Sequence, residues 1–139
     1  MKPENRRHAG IILLVLPTVI YGGVSLLTLL TAGADYANSP LRQDLWRAGH
    51  AHAAVLLIFS LLALLLAEHA QLSPFWERLA TTLIPASAIL LPAAFFLSVA
   101  SPTATKPNGL ISLAYVGAVA LVVGVLILGI GLMRQPAAK

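Results

Sequence analysis

Four long runs of apolar residues dominate the chain, and short polar stretches that hold most of the charged side chains separate them. The runs cover residues 9–32, 48–67, 80–100 and 110–133. Each is close to the ~20 residues that an α-helix needs to cross a hydrocarbon core of about 30 Å. None alternates apolar and polar positions as a membrane β-strand does. The pattern predicts an all-α fold, with one domain over 1–139 built as a bundle of four transmembrane helices.

The composition agrees with lipid as the solvent of this fold. Hydrophobic residues make up 58% of the chain and charged residues 10%, whereas soluble domains carry about 25% charged residues. The basic residues are scattered, so we expect no nucleic-acid partner. The absence of cysteine excludes disulfides, thiolate metal ligands and cysteine nucleophiles. Because no cleavage pattern precedes the first run, we expect it to be a retained helix rather than a signal peptide.

The basic residues that flank the runs predict the orientation of the helices. Two groups lie on opposite sides of the membrane: Lys2, Arg6, Arg7, Arg78, Arg134 and Lys139 on one, and Arg42, Arg47 and Lys106 on the other. The larger group shares its side with both termini. We therefore expect a multi-pass protein of the cell membrane with both termini in the cytoplasm.

Hydroxyl groups and glycines recur at helical spacing within two of the runs. In the first run Thr18, Tyr21, Ser25 and Thr28 share one face. Their ordinary interpretation is hydrogen bonding to a backbone carbonyl or a neighbouring helix, and the functional alternative is a pocket lined by Tyr21. In the fourth run a glycine stripe predicts close helix packing, within or between subunits. It consists of Gly117, Gly124 and Gly131.

The candidate chemistry of the chain centres on two histidines, His50 and His52, near the start of the second run. Hydrated interfacial imidazoles are the ordinary interpretation, but imidazole is also a common ligand of haem, copper and zinc. Arg47 lies close enough to meet an anionic cofactor group such as a haem propionate. Small neighbours leave space for a flat ligand: Gly49, Ala51, Ala53 and Ala54. A two-residue spacing corresponds to a rotation of about 200°, so the imidazoles point to opposite sides of a regular helix.

A zinc hydrolase would need a third ligand and a general base. The remaining candidates, His8, His69 and Glu68, are predicted to lie on the other side of the membrane from His50. They form a separate metal site or are simply solvated. The chain contains no Gly-rich phosphate loop and no nucleophile paired with a base at a recognisable spacing.

Four short segments carry a resemblance to a known family. They are residues 8–13 (HAGIIL), 46–50 (WRAGH), 95–98 (FFLS) with Ser101 and Pro102, and 107–109 (PNG). With them, the chain resembles the styrene oxide isomerases, which are small four-helix membrane proteins that carry haem b. The order and spacing of the four runs agree as well, so the resemblance covers nearly the whole chain. Its most specific motif is Trp-x-x-x-His, formed by Trp46 and His50.

The resemblance implies a haem b held between the subunits of a homotrimer, with His50 as its sole axial ligand. The open face of the ferric iron acts on an epoxide oxygen, the ring opens, a hydride shifts, and a carbonyl compound forms without net redox change. Trp46, Arg47 and His52 would lie near the cofactor.

The resemblance also implies a pocket for a hydrophobic small molecule, and we assign to it Leu56, Phe59, Phe95 and Tyr21. The chain has Leu56 where the family carries an Asn, and Phe95 where the family carries a Tyr. Because those polar groups are expected to position the epoxide, we expect weak or altered isomerase activity.

Two other functions stay open at this point. One is a non-enzymatic membrane haem protein that acts as a sensor, a carrier or a redox subunit. The other is a metal-free structural or small-molecule-binding subunit. Short membrane proteins similar to a fragment of haem-copper oxidase subunit I also carry His-Ala-His at a helix start, and that resemblance likewise implies haem or copper at the pair.

Overall fold

A computed structural model of the protein describes residues 1–134. The helices are α1 (Pro3–Ala32), α2 (Ala34–Ala37), α3 (Pro40–Ala67), α4 (Pro74–Ser98) and α5 (Leu113–Met133), and a 3-10 turn (Gly109–Ser112) leads into α5. No strand is present in this part of the chain. Helices α1, α3 and α4, and α5 together with its 3-10 turn, are each long and apolar enough to cross a membrane. The predicted all-α bundle of four spans is confirmed in length and composition.

Three of the helices begin well before the apolar runs do. They start at Pro3, Pro40 and Pro74, ahead of the predicted span starts at 9, 48 and 80. Proline suits the first helical position, where its missing N–H costs nothing and its fixed φ is already helical. Much of the sequence predicted as loop is therefore helical. As a consequence His50 lies about 15 Å along α3, not in its first turn as the sequence predicted.

Consecutive long helices run antiparallel. We call the end where α1 begins the proximal end, and the end where α1 finishes the distal end. Helix α4 packs against both α3 and α5, whereas α1 packs mainly along α3. The core forms two clusters: Ile12, Leu56, Leu57, Leu64, Ala88 and Leu91 in one, and Ala63, Ala67, Ala80, Ile84 and Leu128 in the other.

The glycine stripe of α5 packs within the chain. A Cβ at Gly124 would lie 2.7 Å from Cγ1 of Ile84 on α4, and a Cβ at Gly117 would lie 3.0 Å from Cγ of Leu91 on the same helix. The separation at Gly124 is shorter than real side chains show, and that at Gly117 is tighter than most, so glycine allows α5 to approach α4 closely. The stripe therefore serves helix packing, as the sequence predicted.

The hydroxyl groups of α1 have ordinary local partners. Thr18, Ser25 and Thr28 each donate to a backbone carbonyl three or four residues earlier, at 2.7–3.0 Å. This pattern satisfies a hydroxyl inside an apolar helix and confirms the ordinary interpretation for these three residues. Tyr21 is 74% exposed and projects from the surface of the bundle.

The proximal end is closed by hydrogen bonds to one carboxylate. The backbone N–H of Lys2 donates to Oε1 of Glu68 at 2.8 Å, and Nδ2 of Asn5 donates to the same oxygen at 2.7 Å. Nζ of Lys2 also pairs with Glu77 at the start of α4. The hydrogen bond from Lys2, followed by that from Asn5, lowers the pKa of Glu68. These contacts join the start of α1 to the α3–α4 connection.

Candidate functional site

The imidazole of His50 lies against the backbone of α1 at two adjacent glycines. A Cβ at Gly23 would lie 3.0 Å from Nε2 and 3.1 Å from Cε1 of His50, and a Cβ at Gly22 would lie 3.8 Å from Nδ1. Any side chain at position 23 would fill the space that borders the ring. Gly22 and Gly23 therefore form a cradle for His50 in the seam between α1 and α3.

His52 lies on another flank of α3. Its ring centroid is 5.2 Å from that of Phe95 on α4, and its Nδ1 is 2.7 Å from the carbonyl oxygen of Ala48. A contact of this length requires Nδ1–H as the donor, which leaves Nε2 without a proton in the neutral ring. The two imidazoles thus face different helices, as their spacing predicts, and cannot ligate one metal together.

Gly49 has a structural role different from the one that the sequence indicated. A Cβ at this position would lie 2.9 Å from Cε2 of Phe96 and 3.2 Å from Cβ of Phe95. The residue lets α3 approach α4 and leaves no room for a ligand. The imidazole of His50 packs against Gly22 and Gly23 instead, a pair that sequence reasoning missed. Two consecutive glycines within an apolar run were the available signal, because they favour close approach of a neighbouring group.

Trp46 is fixed at the distal end by contacts with three elements. Its indole N–H donates to the carbonyl oxygen of Phe96 on α4 at 3.2 Å, and its ring stacks on Tyr36 of α2 at a centroid distance of 5.5 Å. The Arg42 guanidinium lies 4.4 Å from the centroid of the Trp46 ring. The indole therefore joins α2, α3 and α4 one turn before His50.

Arg47 lies in the same distal region but is exposed. Its Nε donates to the carbonyl oxygen of Gln43 at 3.1 Å, and Nη2 donates to Asp44 at 3.2 Å. Both members of the ion pair are largely solvent-accessible, so the pair is weak and Arg47 is free to turn to another anion.

The residues predicted for a substrate pocket do not form a single group. Leu56 is buried in the first core cluster, and Phe95 packs against the same cluster. Phe59 packs against the second cluster. Tyr21 points away from the bundle, directly before the glycine pair. The structure therefore places Leu56 and Phe95 at the same core cluster, and Phe59 and Tyr21 elsewhere.

Within residues 1–134, no three His, Asp or Glu side chains come close enough together to hold a metal ion. The alternative site of His8, His69 and Glu68 is not assembled there. A single imidazole is sufficient only for a cofactor that brings its own equatorial ligands. Haem b is such a cofactor, because the protein needs to supply only an axial ligand. His50 matches this requirement in residue type, as a single imidazole on α3.

Comparisons of the chain with models of known protein families, with curated proteins and with solved structures give no match. Helix packing and the surroundings of His50 are accordingly the structural basis for a functional assignment. The family that the sequence resembles indicates the class of reaction to be tested.

Proposed function

We propose that the protein is a haem b-binding integral membrane protein, and that it isomerises hydrophobic epoxides to carbonyl compounds. His50 would be the axial ligand. The observation that carries the proposal is the position of the His50 imidazole against Gly22 and Gly23. The Trp46-to-His50 motif supports the choice of cofactor.

The reaction requires no oxidant or reductant. One carbon–oxygen bond of the epoxide breaks, a hydrogen moves with its electron pair to the neighbouring carbon, and the oxygen becomes a carbonyl. When bound, ferric haem supplies the Lewis acidity for this reaction.

The chain's own side chains have supporting roles in this proposal. His50 holds the cofactor in place, and the glycine pair keeps the ring free of steric conflict. Leu56 and Phe95 belong to an apolar part of the bundle core, and an apolar interior excludes the water that would otherwise add to the opened ring. Arg47 is available to an anionic group of the cofactor.

The proposal includes a homotrimer in the cell membrane with cytoplasmic termini. Five basic residues belong to the proximal end, Lys2, Arg6, Arg7, Arg78 and Arg134, against Arg42, Arg47 and Lys106 at the distal end. This asymmetry favours a cytoplasmic proximal end, although Lys139 lies outside the described residues. Because α1 packs mainly along α3, most of its surface is available to lipid or to a second copy. Native mass spectrometry tests the assembly: a monomer that keeps all its haem would contradict a site between subunits.

A non-enzymatic haem protein is the second candidate. The observation in its favour is that Leu56 and Phe95 are apolar where the resembling family carries hydrogen-bond donors. One positioned donor contributes about 3 kcal/mol to lowering a barrier. Loss of such donors fits a sensor or carrier as well as a slow isomerase.

Turnover of styrene oxide separates the two candidates. Ferric protein is incubated with the epoxide without reductant, and phenylacetaldehyde is followed. We expect slow turnover by the unchanged protein and faster turnover by Phe95→Tyr, which introduces a hydroxyl at the position where the resembling family carries a Tyr. Phe75→Tyr, an exposed position at the proximal end, is the matched control and should not change the rate. No turnover by either the unchanged protein or Phe95→Tyr, with haem intact, would favour the non-enzymatic protein.

A further inference from the structure

A small cavity opens in the α1–α3 seam on the distal side of His50. Its volume is about 110 Å³, and one wall consists of Leu26, Leu27 and Leu30 on α1. The opposite wall consists of Tyr36 on α2 with Gln43 and Arg47 on α3. The cavity therefore has an apolar side and a polar side, as a site for an amphipathic molecule does.

The polar wall is held in place by its own hydrogen bonds. Nε2 of Gln43 donates to the carbonyl oxygens of Tyr36 at 3.0 Å and Ala37 at 2.8 Å, which uses both amide hydrogens and ties α2 to α3. Arg47 uses Nε and one hydrogen of Nη2 within the protein, and a guanidinium carries five N–H groups. Its remaining N–H groups and the phenol of Tyr36 are donors, so a ligand here must supply acceptors.

Two guanidinium groups, those of Arg47 and Arg42, lie near Tyr36. Arg42 is only 7% exposed, forms none of the salt bridges of residues 1–134, and its buried Nε has no hydrogen-bond partner there. Burial raises the pKa of Tyr36, Arg47 and Arg42 oppose that rise, and Asp44 adds to it. Arg42 does not line the cavity, so the cation that an anion in the cavity would meet is Arg47.

We propose that the cavity binds a small organic carboxylate. Its carboxylate group would face Arg47 and Tyr36, and its hydrocarbon part would lie between Leu26, Leu27 and Leu30. The volume is somewhat smaller than the ~150 Å³ cavity that accommodates benzene, so the hydrocarbon part is short. A free acid and a carboxylate arm of a larger cofactor share this chemistry.

Fluorescence of Trp46 reports binding directly, because its ring stacks on Tyr36. In detergent solution, a Trp76→Phe background leaves Trp46 as the sole tryptophan. Hexanoate is titrated as the probe, with hexan-1-ol as its uncharged analogue. We expect a saturable change with hexanoate and a non-saturable one with the alcohol. Isothermal titration of the unchanged protein provides the same comparison without the background substitution.

Two pairs of variants locate the site. Arg47→Gln removes a charge-assisted hydrogen bond and should weaken hexanoate binding about tenfold or more, whereas Arg134→Gln at the proximal end should leave it unchanged. Leu26→Phe should fill the cavity and reduce binding, whereas Leu14→Phe, on an exposed face of α1, should not. Equal affinities in Arg47→Gln and Arg134→Gln, or a non-saturable response to hexanoate, would overturn the proposal.

The titration is repeated with haem-free and haem-loaded protein to distinguish a free acid from a carboxylate arm of the cofactor. Haem is measured by absorbance. Binding to both forms assigns the cavity to a free acid. Binding only to the haem-free form assigns it to a carboxylate arm of the cofactor. Binding to neither form contradicts the proposed site and leaves the axial role of His50 to its own test.

Discussion

His50 of α3 and Gly23 of α1 are in direct contact across the helix seam. A Cβ at position 23 would lie 3.0 Å from Nε2 of His50, so the absence of a side chain there sets how closely the two helices approach. Because α1 packs mainly along α3, this contact also helps to hold α1 on the bundle.

Replacing Gly23 by Leu should therefore displace the His50 ring or α1. We expect the free energy of unfolding to fall by about 1–3 kcal/mol, the usual cost of overpacking, and any haem spectrum to change. Gly10→Leu is the matched control, since a Cβ there meets nothing within 4 Å. Thermal unfolding in detergent, followed by circular dichroism, measures both variants. Equal effects at the two positions would contradict a specific role for Gly23.

His52→Ala should retain much of the haem and alter only its spectrum or its rate of loss. The reason is that His52 lies beside Phe95 on α4, whereas His50 faces α1. Absorption spectra and the rate of haem transfer to an acceptor protein measure the two effects. If only His52→Ala removed the haem, the axial ligand would be His52 and the proposed assignment would be wrong.

Gly124→Leu should destabilise the contact between α4 and α5. A Cβ at this position would lie 2.7 Å from Cγ1 of Ile84, so we expect a loss of about 1–3 kcal/mol or more in unfolding free energy. Gly129 on the same helix has nothing within 4 Å of a Cβ, and Gly129→Leu should be tolerated. A stable Gly124→Leu protein with an unchanged melting temperature would show that the stripe does not set the packing.

Glu68 should make stability depend on pH at the acidic side of neutrality. Hydrogen bonds from Lys2 and Asn5 lower its pKa in the folded state, so the ionised carboxylate stabilises the fold. This contribution is complete above the usual Glu pKa of about 4.3 and is lost as pH falls through the lowered folded value. Melting temperatures of the unchanged protein and Glu68→Gln should therefore differ at neutral pH and converge in acid. Glu4 is an exposed carboxylate on α1, so Glu4→Gln provides the control. If the melting temperatures of the unchanged protein and Glu68→Gln differed by the same amount down to strong acid, Glu68 would not be the source of the pH dependence.

Hydropathy predicted the four spans and most of the positions at which they begin or end, because a segment that crosses a lipid bilayer must be a long apolar helix. It did not predict where α1, α3 and α4 begin. Their first turns are polar, and the proline at each start, such as Pro40, is a local signal that an average over a run does not register.

The candidate site was predicted in part. Residue type predicted His50 as a candidate ligand, and helical spacing predicted that the side chains of His50 and His52 point in different directions. The contact with Gly23 and the burial of Arg42 and Tyr36 arise from tertiary packing between α1, α2 and α3. Residues that are distant in sequence create these environments, and a single sequence does not reveal which of them meet.

The visible spectrum of the purified protein tests the central assignment most directly. Protein from haem-replete cells, or protein supplied with hemin, should show a Soret band corresponding to about one haem b per chain. His50→Ala should lose the band, and His69→Ala at the proximal end should keep it. A colourless protein that does not respond to hemin, or a His50→Ala variant with an unchanged spectrum, would contradict the assignment of His50 as the haem ligand.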